Sequence, residues 1–181
     1  MKKVAICKFE DLIGKEDAIS VNTMLSIEKI KNKKYLLLVH SNKNLEELLY
    51  YNRDFPFIDY IVSEKGYYFY DVKKGKKVIN NKFSKQIINK ICKMFKNRTI
   101  KFIGENGIIK ENRIRDEDIY EINIFDSDVK SDDFSLNISK EKDRVNITIK
   151  ELTYENIMKD VYSKLKLKEE NIIEINKEML N

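Results

Sequence analysis

Two short apolar runs, Val4 to Cys7 and Tyr35 to Val39, flank a stretch whose apolar residues recur at helical spacing, and this order constrains the fold more than any other feature of the chain. Val21, Met24, Leu25, Ile27 and Ile30 follow Ser20, whose hydroxyl suits an N-cap, and lysines gather near the end of the stretch, where they complement the helix dipole. Strand, helix and strand with short links make a βαβ unit, because two parallel strands need a crossover and a helix supplies it. A second crossover follows. Asn44 is placed to cap a helix carrying Leu45, Leu48 and Leu49, Glu46 and Glu47 favour its positive end, Asp54-Phe55-Pro56 stops it, and Ile58 to Val62 reads as a third core strand. The expected class is α/β, a mainly parallel sheet with helices on both faces.

Beyond Ser63-Glu64-Lys65-Gly66, the runs Tyr67 to Val72 and Lys77 to Ile79 flank Lys73-Lys74-Gly75-Lys76, a hairpin signal. Tyr67, Tyr68, Phe69 and Tyr70 alternate along that strand, so rings face both sides: the first reading is core on one face with tyrosines reaching solvent on the other, and the alternative is an apolar stripe that a second copy of the chain or another protein would cover. From Ser84, a helical stripe of Ile87, Ile88, Ile91, Cys92 and Phe95 runs to Asn97. Four β-like stretches come next, Thr99 to Ile103, Ile119 to Phe125, Phe134 to Ile138 and Val145 to Ile149. These predict a small α+β insert over 82–150, between core segments 1–81 and 151–181. A helix from about Tyr154 to Leu165 and a strand from Asn171 to Ile175 return to the core. Asp126, Asp128, Asp132 and Asp133 read as a solvated loop rather than a calcium site, since Lys130 interrupts them and no glycine supplies the turn.

Composition narrows the partners. At 181 residues and 42% hydrophobic content the chain suits one ordinary domain or a small core with one insert. The net charge of +5 rests on lysine: of the 35 basic residues only Arg53, Arg98, Arg113, Arg115 and Arg144 are arginines, which argues against a nucleic-acid partner, since readers of phosphate and base edges lean on arginine forks. Cys7 and Cys92 have no Cys or His neighbour at ligand spacing, so neither zinc nor a disulfide framework is expected. No apolar run approaches the length of a membrane span, and Met1-Lys2-Lys3 leads straight into a strand; the expectation is a cytoplasmic protein with reduced thiols and no membrane partner. His40, the one histidine, ends a strand beside Ser41. Neighbours on a strand point to opposite faces, so the two do not form a catalytic pair, and no carboxylate at a diagnostic spacing marks a partner for the imidazole.

The order of elements and several strings resemble the haloacid dehalogenase (HAD) superfamily, in particular the Cof-type sugar-phosphate phosphatases. The resemblance is clearest from Val4 to Asp71 and runs through Ser41-Asn42-Lys43-Asn44-Leu45-Glu46-Glu47 and Ile61-Val62-Ser63-Glu64-Lys65-Gly66. A shorter echo lies in Ile157 to Leu167 and Glu170-Asn171-Ile172-Ile173. It implies a Rossmannoid core with the insert as a small cap.

In such a family a carboxylate at the end of the first strand attacks phosphorus and helps hold magnesium, and a second acid two residues on moves a proton. The matching positions are Cys7 and Phe9, and the glycine and threonine that follow in the family fall on Glu10 and Asp11. A thiol is a poor ligand for hard magnesium, and no arginine follows Cys7 to cradle phosphate as a cysteine phosphatase requires. The phosphate-gripping Ser/Thr is matched by Ser41, the basic residue after it by Lys43, and the lysine that neutralises phosphate by Tyr154. Where the glycine-and-aspartate metal loop is expected, the chain offers Asn176-Lys177-Glu178. The resemblance thus implies a degenerate catalytic set, without a metal or other cofactor. The function expected is binding or regulation, with Ser41, Lys43 and Lys177 as candidate groups for a phosphorylated small molecule. The alternative is an active hydrolase on a small phosphorylated metabolite that uses non-standard residues, with magnesium expected only in that case.

Overall fold

The computed structural model describes residues 2–14, 18–54, 56–110, 113, 114, 116–125 and 136–180. The chain divides into two compact units, Met1–Asn80 with Thr153–Asn181, and Asn81–Leu152.

In the first unit, β1 (Lys3–Lys8) runs into a one-turn helix α1 (Phe9–Leu12), and α2 (Val21–Asn32) leads to β2 (Tyr35–Ser41). The α2 helix begins where Ser20 Oγ accepts the Thr23 N–H at 3.1 Å. Then come α3 (Leu45–Asp54), β3 (Tyr60–Ser63), β4 (Tyr68–Asp71) and β5 (Lys76–Asn80). Asn44 and Glu47 cap α3 reciprocally: Asn44 Oδ1 accepts the Glu47 N–H at 2.8 Å while Glu47 Oε2 accepts the Asn44 N–H at 3.3 Å. After the second unit, α5 (Tyr154–Leu165) and β11 (Ile172–Ile175) return, with Thr153 as the N-cap of α5. The sheet order is β11-β1-β2-β3-β4-β5, parallel from β11 to β3 and antiparallel beyond. Val4, Ile6, Leu38, Tyr60, Val62 and Phe69 pack with Ile157, Met158 and Val161 of α5. The alternate residues Ala5, Leu37, Val39 and Ile61 are equally buried, as are Phe9, Leu12, Ile27 and Leu48 of the three earlier helices. The mixed α/β class expected from the βαβ order is therefore the observed one. Gly75 closes the expected hairpin at φ +60°, a left-handed conformation that costs a side-chain-bearing residue energy.

The second unit opens with α4 (Lys85–Met94), capped by Ser84, and continues through β6 (Ile100–Gly104), β7 (Gly107–Ile108), β8 (Glu121–Phe125), β9 (Asn137–Lys140) and β10 (Arg144–Thr148). These form an antiparallel sheet of order β7-β6-β8-β10-β9. Ile88 and Ile91 of α4 pack on Phe102, Ile122, Ile124, Val145 and Ile147. The acidic loop Asp126, Asp128, Asp132 and Asp133 lies outside the described residues, as does Phe134.

The partner-surface alternative for the aromatic run fails. Tyr67, Tyr68 and Phe69 are 5%, 1% and 0% exposed, and Tyr70 is half-buried, so no aromatic stripe remains for a second copy or another protein to cover. Tyr67 lies just before β4, and β4, which carries Tyr68, Phe69 and Tyr70, is interior to the sheet, between β3 and β5. Phe69 meets Tyr60 with ring centroids 5.2 Å apart, and Lys77 lies over the Tyr68 ring at 4.7 Å. Alternation placed rings on both faces, as the sequence implied, but both faces are covered.

Candidate functional site

The carboxyl ends of β1, β2 and β3 lie side by side, which is where open α/β sheets bind ligands. Register sorts the site residues onto two faces: Cys7 aligns with Val39 and Ile175, and Ser41 with Ser63, while Lys8 aligns with His40 and His40 with Val62.

On the first face, Cys7 is 1% exposed in a row of aliphatic side chains, and its Sγ donates to the Lys8 carbonyl at 3.1 Å. Burial, reinforced by the negative charges of Asp11 and Glu10, pushes the thiol up to about 12, so at neutral pH it is protonated and a weak nucleophile. The chain turns directly from Cys7-Lys8 into α1 because Phe9 and Leu12 bury themselves; the Phe9 ring meets Tyr51 edge-on at 5.1 Å. That turn aims Glu10 at β2. Ser41 Oγ donates to Glu10 Oε1 at 2.6 Å and accepts the Lys43 N–H at 3.0 Å. Ser41 is fully buried, and Glu10 Oε2 is buried with no hydrogen-bond partner. The serine expected to grip an oxyanion thus already grips one, supplied by the chain itself.

The other expected residues scatter. The Lys43 ammonium pairs with Glu47, one helical turn on, at 3.5 Å. Asp11 is half-buried on α1, and Lys177 sits exposed in a one-turn 3₁₀ segment after β11, where Asn176 Oδ1 accepts the Met179 N–H at 3.2 Å. Of the three candidate anion-binding groups, Ser41 and the Lys43 backbone come together, and both the serine hydroxyl and the Lys43 ammonium are engaged by carboxylates.

Tyr154 belongs to the second face. Its ring lies against the His40 imidazole with centroids 4.6 Å apart, and burial, followed by Tyr162 and the carboxylates of Glu174, Glu64 and Glu155, holds the phenol well above its ordinary range. A neutral phenol stands where the resemblance expects a cation. His40 does have a carboxylate partner, contrary to what its sequence neighbourhood implied: Nδ1 lies 2.9 Å from Glu64 Oε1. Glu64 also accepts from Asn42 Nδ2 at 2.8 Å and has Lys8 Nζ at 3.7 Å. A carboxylate only accepts, so Nδ1 is the donor of this pair. His40 and Ser41 use different carboxylates on different faces, in keeping with their adjacency on one strand.

Magnesium calls for an octahedral set of hard oxygen ligands. The strand ends offer a protonated buried thiol, a phenyl ring and a carboxylate already bonded to Ser41, a donor set that does not fit the ion. Among the described residues no three His, Cys, Asp or Glu side chains converge on a common point. No helix among the described residues is long and apolar enough to cross a membrane.

The sequence pattern of the haloacid dehalogenase-like hydrolases matches residues 12–181. No curated protein matches the chain. Among solved structures, a protein from Thermotoga maritima superposes with a TM-score of 0.64 at 14% identity, covering 96% of this chain and 79% of that one. A HAD-superfamily phosphatase from Bacteroides thetaiotaomicron gives 0.61 at 9% identity over 96% and 76%. A HAD subclass IIB sugar phosphatase gives 0.54 at 13% identity over 96% and 80%. At these identities the likeness shows the fold alone.

Proposed function

The chain belongs to the haloacid dehalogenase-like hydrolases, and from that premise we propose that it is a catalytically silent member whose strand-end site has been turned to binding. The observation that carries this reading is the 2.6 Å bond from Ser41 Oγ to Glu10 Oε1: a side-chain carboxylate stands in for the phosphate the serine would hold, beside a first-strand position occupied by a protonated thiol. The family match begins at residue 12, past Cys7, Phe9, Glu10 and Asp11, in keeping with a first loop that has left the family pattern. Phosphoryl transfer by a fold of this kind draws its rate from a positioned carboxylate and metal charge, and Cys7, Phe9, Tyr154 and Lys177 supply neither. In this reading residues 82–150 form the cap, and the ligand is a phosphorylated small molecule that reaches Ser41 and Lys43 by displacing Glu10. The cytoplasm is the compartment consistent with two free cysteines.

A screen of sugar phosphates with magnesium tests the catalytic half. Turnover at the level of a blank is expected. Robust turnover that survives repurification and vanishes in Glu10→Gln or Asp11→Asn would instead establish an active hydrolase with a relocated carboxylate. The buried, unpartnered Glu10 Oε2 is the one feature that favours this second reading.

A further inference from the structure

The second unit contains an open cavity of about 660 Å³, within the size range of small-molecule sites and formed by residues of this unit alone. Its wall is apolar: Phe95 at the end of α4, Ile100 and Phe102 of β6, Ile109 after β7, and Ile114. Phe102 and Ile109 are buried members of this unit's core, so the floor is fixed by packing, whereas Ile108, also on the wall, is 64% exposed. Lys96, Arg98, Lys101 and Lys110 also line the cavity, and each is exposed, with the Lys101 ammonium lying over the Phe125 ring at 4.8 Å. No carboxylate lines the cavity among the described residues, and none of Lys96, Arg98 and Lys110 has a described ion-pair partner. Elsewhere in the same unit cations are paired: Lys82 with Asp118 at 2.7 Å, Arg113 with Glu117 at 3.4 Å, and Arg144 with Glu141 at 2.6 Å. A concave apolar wall bordered by unpaired positive charge selects a ligand with an apolar body and an anionic head.

We infer that this cavity binds a soluble amphiphilic anion, an acyl or aromatic carboxylate, sulfonate or phosphate, with the apolar part on Phe95, Phe102 and Ile109 and the anionic head among Lys96, Arg98 and Lys110. The inference stands apart from the reading of the strand ends, because it uses no residue of the first unit. It assigns this unit a ligand of its own.

The test uses the full chain and two fluorescent probes sharing one ring system, 1-anilinonaphthalene-8-sulfonate and the uncharged N-phenyl-1-naphthylamine. The sulfonate is expected to bind saturably at one site, to be displaced by dodecanoate and to weaken in high salt. The uncharged probe is expected to bind about tenfold more weakly, the sum of three exposed charge contacts of modest individual worth. Lys96→Gln/Arg98→Gln/Lys110→Gln is expected to bring the sulfonate down to the uncharged probe's affinity, and Ile108→Glu to weaken it as well, with circular dichroism unchanged in both since all four side chains are exposed. Equal affinity for the two probes, unsaturable binding, or variants that bind as the wild type does would overturn the proposal. So would sedimentation with phosphatidylglycerol vesicles that depends on the three cations while the sulfonate fails to saturate, which would make the face a membrane contact. Phosphatase assays and Glu10 variants do not bear on any of these outcomes.

Discussion

Cys7 occupies the position on which the chemistry of the first strand turns, and its reactivity follows from its surroundings. The thiol is displaced from an ordinary value of 9.0 to about 12 by burial first, then by the charges of Asp11 and Glu10. At pH 8 the thiolate fraction of a group titrating at about 12 is ~10⁻⁴, against ~10⁻¹ for an unshifted thiol, so ionisation alone slows alkylation by about a thousandfold. Burial to 1% exposure adds a steric barrier. Cys92 serves as an internal comparison, because it is half-buried and shifted upward less. Timed iodoacetamide labelling of the native protein, read by peptide mass, is expected to modify Cys92 long before Cys7, with Cys7 labelled only as fast as the chain unfolds. The same shift has a sign in stability. The folded state holds its proton more tightly than the unfolded state, so this contribution is intact below about pH 9 and declines between about 9 and 12 by about 1.4 kcal/mol per pH unit. Cys7→Ala should therefore show a shallower alkaline fall in melting temperature than the wild type. Labelling of Cys7 at the rate of Cys92, or faster, would refute the reasoning and restore the thiol as a candidate nucleophile.

Three further outcomes follow from the same structure. Glu10→Ala leaves the buried Ser41 hydroxyl without its acceptor and is expected to cost about 1.5–3 kcal/mol in urea unfolding, whereas Glu10→Gln keeps an acceptor and costs less. A double-mutant cycle of His40→Ala with Glu64→Gln should give a coupling of about 0.5–1.5 kcal/mol, with a value near zero removing the pair from the account. Gly75→Ala forces a side chain into a left-handed turn at φ +60° and should lower stability by about 1–2 kcal/mol without affecting Cys7 labelling.

What could be read from the sequence was local. The apolar runs that became β1, β2 and β3 announce themselves by length and β-branched content, and Ser20, Asn44 and Ser84 cap the helices they precede because N-capping acts over three residues. What could not be read depends on contacts made across the sheet. Glu10 and Ser41 lie 31 positions apart and His40 and Glu64 lie 24 apart, so neither pair has a spacing to recognise; parallel pairing of β1, β2 and β3 brings them together. The aromatic run misled for a related reason: alternation says which way rings point but not what covers each side, and β4 proved to be an interior strand. The wall of the second-unit cavity likewise draws on residues from the end of α4, β6, β7 and the segment after it, which only the folded sheet assembles.

The central claim is that the Glu10 carboxylate holds the place of phosphate on Ser41, and calorimetric titration of inorganic phosphate into wild type and Glu10→Gln tests it most directly. Removing the competing charge is expected to tighten phosphate binding by about tenfold, a change of about 1.4 kcal/mol and well within the repulsion of two anions at hydrogen-bond range. Binding that is unchanged or weaker in Glu10→Gln would contradict the claim.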